Sequence, residues 1–142
     1  MKLDNRWVKA DGSLNELPIT IHSRENWQAI AEAGEFPICI QIAWNGTTRN
    51  ERNAFPTEEE MQTIEVFHHQ LQLSLESDDH AVIAMVITHD GINQWVIYTN
   101  DIEQLRENLN KVLTSEQGYP IEIVADEDPE WQTFKKVYQA IQ

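Results

Sequence analysis

The stretch from His80 to Asn100, HAVIAMVITHDGINQWVIYTN, constrains the fold of this chain more than any other. It reads as two strands joined at a Thr-His-Asp-Gly turn, with Asp90-Gly91 supplying residues able to take φ > 0. In the first strand Ile83, Met85 and Ile87 alternate with Val82, Ala84 and Val86. In the second, Trp95 and Ile97 alternate with Val96 and Tyr98. Successive side chains of a strand point to opposite faces, so both faces of this hairpin are apolar. A face that wide is not normally left to water on a soluble monomer. The hairpin therefore demands cover on both sides.

The flanking segments supply the layers. FPICIQIAW, residues 36–44, is a strand with Ile38, Ile40, Ile42 and Trp44 on one face and Cys39, Gln41 and Ala43 on the other. Thr57 to Glu60 form a capping-box pattern that opens a helix running to about Leu75. Its apolar stripe is Met61, Ile64, His68, Leu71 and Leu75, widened by Phe67. Asn100-Asp101 cap a second helix with Ile102, Leu105, Leu109, Val112 and Leu113 on one face. YPIEIVA, residues 119–125, is a further strand. Asp128-Pro129-Glu130-Trp131 reads as N-cap, proline at the first helical position, then acid, opening a last helix lined by Trp131, Phe134, Val137, Tyr138 and Ile141.

Residues 36–125 thus run β-α-β-β-α-β, which predicts an α+β, ferredoxin-like antiparallel sheet with both helices on one face. Ahead of it, residues 5–22 predict a strand pair turning at Asp11-Gly12-Ser13, and Ser23 opens a short helix ending at Gly34. The expected organisation is one domain over 1–142: an N-terminal cover at 1–35, the split βαβ core at 36–125 and a C-terminal helix at 128–141. Either the N-terminal segment or a second chain must cover the outer sheet face.

Charge excludes some functions. The net charge is −14, and it is uneven. Residues 1–52 hold six Lys/Arg against seven Asp/Glu, whereas residues 53–142 hold four against seventeen. Such a surface repels phosphate backbones and suits a basic protein partner, so no direct nucleic-acid binding is expected. No run of apolar residues is long enough for a membrane span, and MKLDNRWVKADGS has no apolar core of a secretion signal. With the single cysteine, Cys39, this points to a cytoplasmic protein.

No catalytic constellation emerges. His68 and His69 are adjacent, so on a helix they point about 100° apart and do not chelate one ion together. His22, His80 and His89 are scattered, and there is no HxxxH, CxxC, GxSxG or phosphate-binding glycine motif. Cofactors and metals are accordingly not expected, and the balance leans away from an enzyme. Two recognition features remain. Arg49 and Arg52 sit in the loop NGTTRNERNAFP, a locally basic insertion ahead of an acidic half. Glu58, Glu59, Glu60, Asp78, Asp79, Asp126 and Glu127 are the acids expected to face a partner.

The progression FPICIQIAW, NAFPTEEE, VITHDGINQWVIYTND and YPIEIVADEDPEW resembles the bacterial domain-of-unknown-function family number 695, from Trp7 to about Tyr138. The resemblance implies no activity and no catalytic residues. Some members resemble fusions to the ferredoxin-like ribonuclease-E regulator domain, which implies a link to nuclease regulation. The reading is an acidic protein-binding module, monomer or homodimer, of the kind that would serve as an immunity-type or nuclease-regulating inhibitor of a basic partner. The alternative is a small-ligand-binding protein or enzyme with a pocket between the Arg49/Arg52 loop and the hairpin end near His89. Deleting residues 1–34 is expected to strip cover from the outer sheet face, giving an aggregated product in size-exclusion chromatography; a soluble, well-folded monomer would overturn that role.

Overall fold

The structure, a computed structural model, describes residues 6–52, 54–76, 80–113 and 120–140. The chain runs β1 (Trp7–Leu14), β2 (Leu17–Arg24), α1 (Trp27–Glu32), β3 (Ile38–Asn45), α2 (Glu58–Glu76), β4 (Ala81–His89), β5 (Ile92–Thr99), α3 (Ile102–Leu113), β6 (Ile121–Glu127) and α4 (Gln132–Ala140). It is an α+β protein with one six-stranded antiparallel sheet in the order β1-β2-β4-β5-β3-β6. This order differs from that of a bare four-stranded layer because β2 pairs with β4 and carries β1 beyond it.

The hairpin is central, as its two apolar faces require. Asp90 and Gly91 both take positive φ and connect β4 to β5 in a two-residue turn. One cluster packs Ile40, Ile42 and Trp44 of β3, Ile83 of β4, and Trp95 and Ile97 of β5 against Ile64, Phe67, Leu71 and Leu75 of α2 and Leu105, Leu109 and Val112 of α3. The opposite face packs Val82, Ala84, Val96 and Tyr98 with Ile19 and Ile21 of β2, Ile30 of α1, and Trp131 and Phe134 at the start of α4. The second face thus draws on both ends of the chain.

The strict alternation expected along β4 breaks at Ala84. Ile83 pairs with Ile97 and Met85 with Val96, so Ala84 is an extra residue in the ladder. Every side chain beyond it changes sides. Met85 and Ile87 join Val82 and Ala84 on the second face, and Val86 moves to the first.

The bulge lies beside a buried ion pair. Arg24, only 1% exposed, sends Nε to the Ile83 carbonyl at 3.0 Å and Nη2 to Glu76 Oε2 at 2.8 Å. Glu76 Oε2 also accepts the Ile83 N–H at 2.8 Å. Both backbone groups of Ile83 are therefore satisfied by side chains where the pairing of β2 with β4 stops, at Ser23 opposite Met85. The guanidinium lies over the Trp7 ring at 4.5 Å, tying β1 to the same point. The sequence reading placed Arg24 in the first short helix; it is the last residue of β2.

The N-terminal hairpin also turns elsewhere than expected. Asp11, Gly12 and Ser13 lie within β1, and the turn falls at Asn15 and Glu16, both at positive φ, with Leu14 opposite Leu17. Two left-handed residues in succession give the turn twist that matches paired strands, so register outweighs the Asp-Gly preference. Replacing Arg24 by Ala is expected to cost about 3–5 kcal/mol in urea unfolding, because it strands the Glu76 carboxylate and the Ile83 carbonyl. An Arg24→Met/Glu76→Met double variant removes the lone buried charge but leaves both Ile83 backbone groups unpaired, so it recovers only part of this, and a single variant within about 1 kcal/mol of wild type would remove the pair from the framework.

Candidate functional site

The two ends of the sheet differ sharply. At β1 the sheet is extended; at β6 it stops, because among the described residues β6 pairs with β3 alone. After a half-buried Ile121, every residue of β6 is exposed. Opposite Ala43, Gln41 and Cys39 stand Glu122, Val124 and Asp126, which share one face. Ile121, Ile123, Ala125 and Glu127 share the other. Ile123 and Val124 are 43% and 53% exposed, on opposite faces of the free edge. Of the acids expected to face a partner, Asp126 and Glu127 belong to this edge, and Glu58 and Glu59 stand exposed at the start of α2. Asp78 and Asp79 lie outside the described residues.

Glu60 is different. It turns inward and organises the loop ahead of α2. One carboxylate oxygen accepts the Trp44 indole N–H and the Thr47 N–H, both at 3.0 Å; the other accepts the Thr48 N–H at 3.0 Å and its hydroxyl. The expected capping box does not form as such, since the Thr57 N–H bonds the Thr48 hydroxyl instead. Burial raises the Glu60 pKa, but the bonds from Thr48, Trp44 and Thr47 outweigh it and hold the carboxyl below its ordinary value.

The arginine loop is docked on the β4–β5 turn. The Gly46 N–H donates to the Gly91 carbonyl at 2.9 Å, and a Cβ on Gly46 would lie 2.1 Å from that oxygen. Arg49 pairs with Asp90, while Arg52 is exposed. Because the loop leaves β3 where β6 begins, Arg49 and Arg52 sit at the opposite end of β6 from Asp126 and Glu127, roughly 20 Å along the strand. The structure therefore does not bring the arginines together with those acids.

A recess lies elsewhere, on the face shared by α2 and α3. It is a cleft of about 330 Å³ between the flank of α2 and the β1–β2 extension. Met61, Ile64, Glu65 and His68 form its helical wall; Val86, Thr88 and Asn93 form the floor, with His22 and Trp7 at the sheet side. The Trp95 indole N–H donates to His68 Nδ1 at 3.0 Å, which leaves the proton of the neutral ring on Nε2. Thr88 donates to Asn93 Oδ1 at 2.7 Å. Burial lowers the His68 pKa, helped by His69, His22 and Arg24 and opposed by Glu65. His22 is also lowered, by burial and then by Lys9, against Asp11. Sequence reasoning assigned His68 to the apolar stripe and did not see this cleft. Its components come from four strands and a helix, and only the His68 spacing hinted at it.

A family of unknown function, DUF695, matches residues 5–138. The chain belongs to this family. No curated protein and no solved structure matches it. Among the described residues no group of His, Cys, Asp and Glu could hold a metal ion, and no helix is long and apolar enough to cross a membrane.

In this DUF695 protein the Asp128-Pro129-Glu130-Trp131 sequence is a lock rather than a simple helix start. Trp131 takes positive φ, and α4 begins only at Gln132. Asp128 accepts the Gln132 and Thr133 N–H groups at 2.8 and 3.0 Å and the Tyr98 hydroxyl at 2.8 Å. Tyr98 stacks on Trp131 at 4.0 Å, and the Trp131 indole N–H reaches the Phe36 carbonyl at 3.1 Å. Burial pushes the Asp128 carboxyl up, but the bonds from Thr133, Gln132 and Tyr98 prevail and hold it low. Burial also pushes the Cys39 thiol up to about 11, so it is no nucleophile at neutral pH.

These shifts set the pH dependence. Groups with lowered pKa values stabilise the fold above their ordinary values and lose that contribution as pH falls through the lowered ones. Thermal melts are expected to decline first below pH 6.5, as His22 and His68 take protons, and again below 4.5 and 3.8, as Glu60 and Asp128 do. Asp128→Asn is expected to lose about 1–3 kcal/mol at pH 7 and to flatten only the acidic decline. An unchanged acidic decline would remove Asp128 from that role.

Proposed function

We propose that this protein is a protein-binding module whose acidic edge strand β6 takes an extended, basic segment of its partner as a seventh strand. The observation that carries this reading is the edge itself: a seven-residue strand with one side unpaired among the described residues, apolar residues exposed on both faces, and Glu122, Asp126 and Glu127 spaced along it. An added strand would gain affinity from main-chain hydrogen bonds and specificity from alternate side chains. Acids guard the edge against self-pairing. In an antiparallel pair of copies centred on Val124, Glu122 would face Asp126 of the other copy, and directly opposed like charges are destabilising. A segment with lysine or arginine at alternate positions converts that penalty into attraction.

The wider reading follows from charge. A basic partner surface that ordinarily holds phosphate would be occluded, which suits an immunity-type or nuclease-regulating inhibitor in a bacterial cytoplasm. We read residues 1–142 as one domain, with β4-β5-β3-β6 and the two helices α2 and α3 as a ferredoxin-like unit extended by β1 and β2; the support is the neighbour order of those strands and the shared cluster of those helices. The test uses a synthetic peptide of alternating lysine and valine. Its association rate is expected to fall by about tenfold or more from low to high salt. It should also fall in Glu122→Lys/Asp126→Lys/Glu127→Lys, but not comparably in Glu103→Lys/Glu107→Lys on α3. A salt-indifferent rate, or equal effects of the two reversals, would sink the β6 assignment.

A further inference from the structure

We propose that the cleft between α2 and the β1–β2 extension is a small-molecule site for a neutral, planar heteroaromatic ligand that carries hydrogen-bond acceptors. The cleft exists because the layers differ in width. Six strands at about 4.8 Å spacing span more sheet than two helices of about 10 Å can roof. Since α2 packs against β4, no helix among the described residues packs as extensively over β2 and β1 beyond it. The bulge at Ala84 then turns Val86 onto this face and levels the floor beside His22.

Two polar groups of the cleft, the Asn93 amide and the neutral His68 ring, offer donors beside the Glu65 carboxylate. Asn93 is 2% exposed, and its Oδ1 already accepts the Thr88 hydroxyl; its amide hydrogens have no acceptor among the described residues. His68 is anchored through Nδ1 by Trp95, and on the neutral ring Nε2 carries the proton on the side away from that bond. A ligand that supplies acceptors between Asn93 and His68 can pair with both donors, so it is favoured over one that cannot. Met61, Ile64 and Val86 offer apolar contact, and Trp7 an aromatic plate at the sheet side. Glu65 stands at the helical wall of a protein of net charge −14, which disfavours anions. A volume of about 330 Å³ lies at the small end of small-molecule sites.

The test titrates the full chain with caffeine and with 9-methyladenine, two neutral planar heterocycles with acceptors, and follows the indole, imidazole and side-chain amide signals by NMR. Saturable shifts confined to Trp7, His22, His68 and Asn93 are expected. Toluene, which has the ring but no acceptors, should bind at least about tenfold more weakly. Val86→Phe, which fills the floor, should abolish the shifts, and Met61→Trp on the helical wall serves if that variant does not fold. No saturable response to either heterocycle, shifts spread over the surface, toluene equal to the heterocycles, or binding unaffected in the folded filling variant would each overturn the assignment.

Discussion

The β4–β5 hairpin is apolar on both faces, and every other element is placed to satisfy it. One face is roofed by α2 and α3, which are consecutive with the strands they cover. The other is widened by β2 and covered by α1 from one end of the chain and by Trp131 and α4 from the other. This second layer is held by directional contacts as well as by burial. Tyr98 stacks on Trp131 while its hydroxyl donates to Asp128, and the same carboxylate caps α4. A single polar cluster thus fixes where the last helix sits on the sheet.

Charges divide into those used for structure and those left on the surface. Glu76 and Glu60 are both carboxylates in a strongly acidic chain, yet each is spent on backbone groups that a strand could not satisfy. Glu76 with Arg24 completes the ladder at Ile83, and Glu60 collects the N–H groups of the loop before α2. The acids of β6 have no such duty, which is why the edge strand and not the α2 terminus carries the proposed partner site. Arg49 belongs with the structural set, because its guanidinium is paired with Asp90 on the hairpin turn.

The two proposed sites share an origin in unequal layers. Among the described residues, β6 leaves one end of the sheet with an unpaired edge, and β1–β2 carry the other end past α2. An edge offers main-chain hydrogen bonds in a row, which suits an extended polypeptide. A sheet face beside a helix offers a slot where apolar and polar side chains meet, which suits a small ring. The protein-binding and small-molecule readings therefore rest on different residues.

Much of the local structure was written in the sequence. Hydrophobic period located the strands and helices, Asp90-Gly91 specified the central turn, and the family resemblance covered nearly the whole matched span. These are short-range properties, decided by side-chain alternation and by the φ values a residue tolerates. What the sequence could not determine was long-range. The bulge at Ala84 reverses the faces of Met85, Val86 and Ile87, and nothing in an unbroken apolar run marks where it falls. The pairing of Arg24 with Glu76 joins residues 52 apart. The cleft depends on how far β2 carries the sheet past α2, because its donors on Asn93 and His68 become neighbours only when β4, β5 and α2 have packed. Local chemistry chose the elements; the competition to bury both faces of one hairpin decided how they meet.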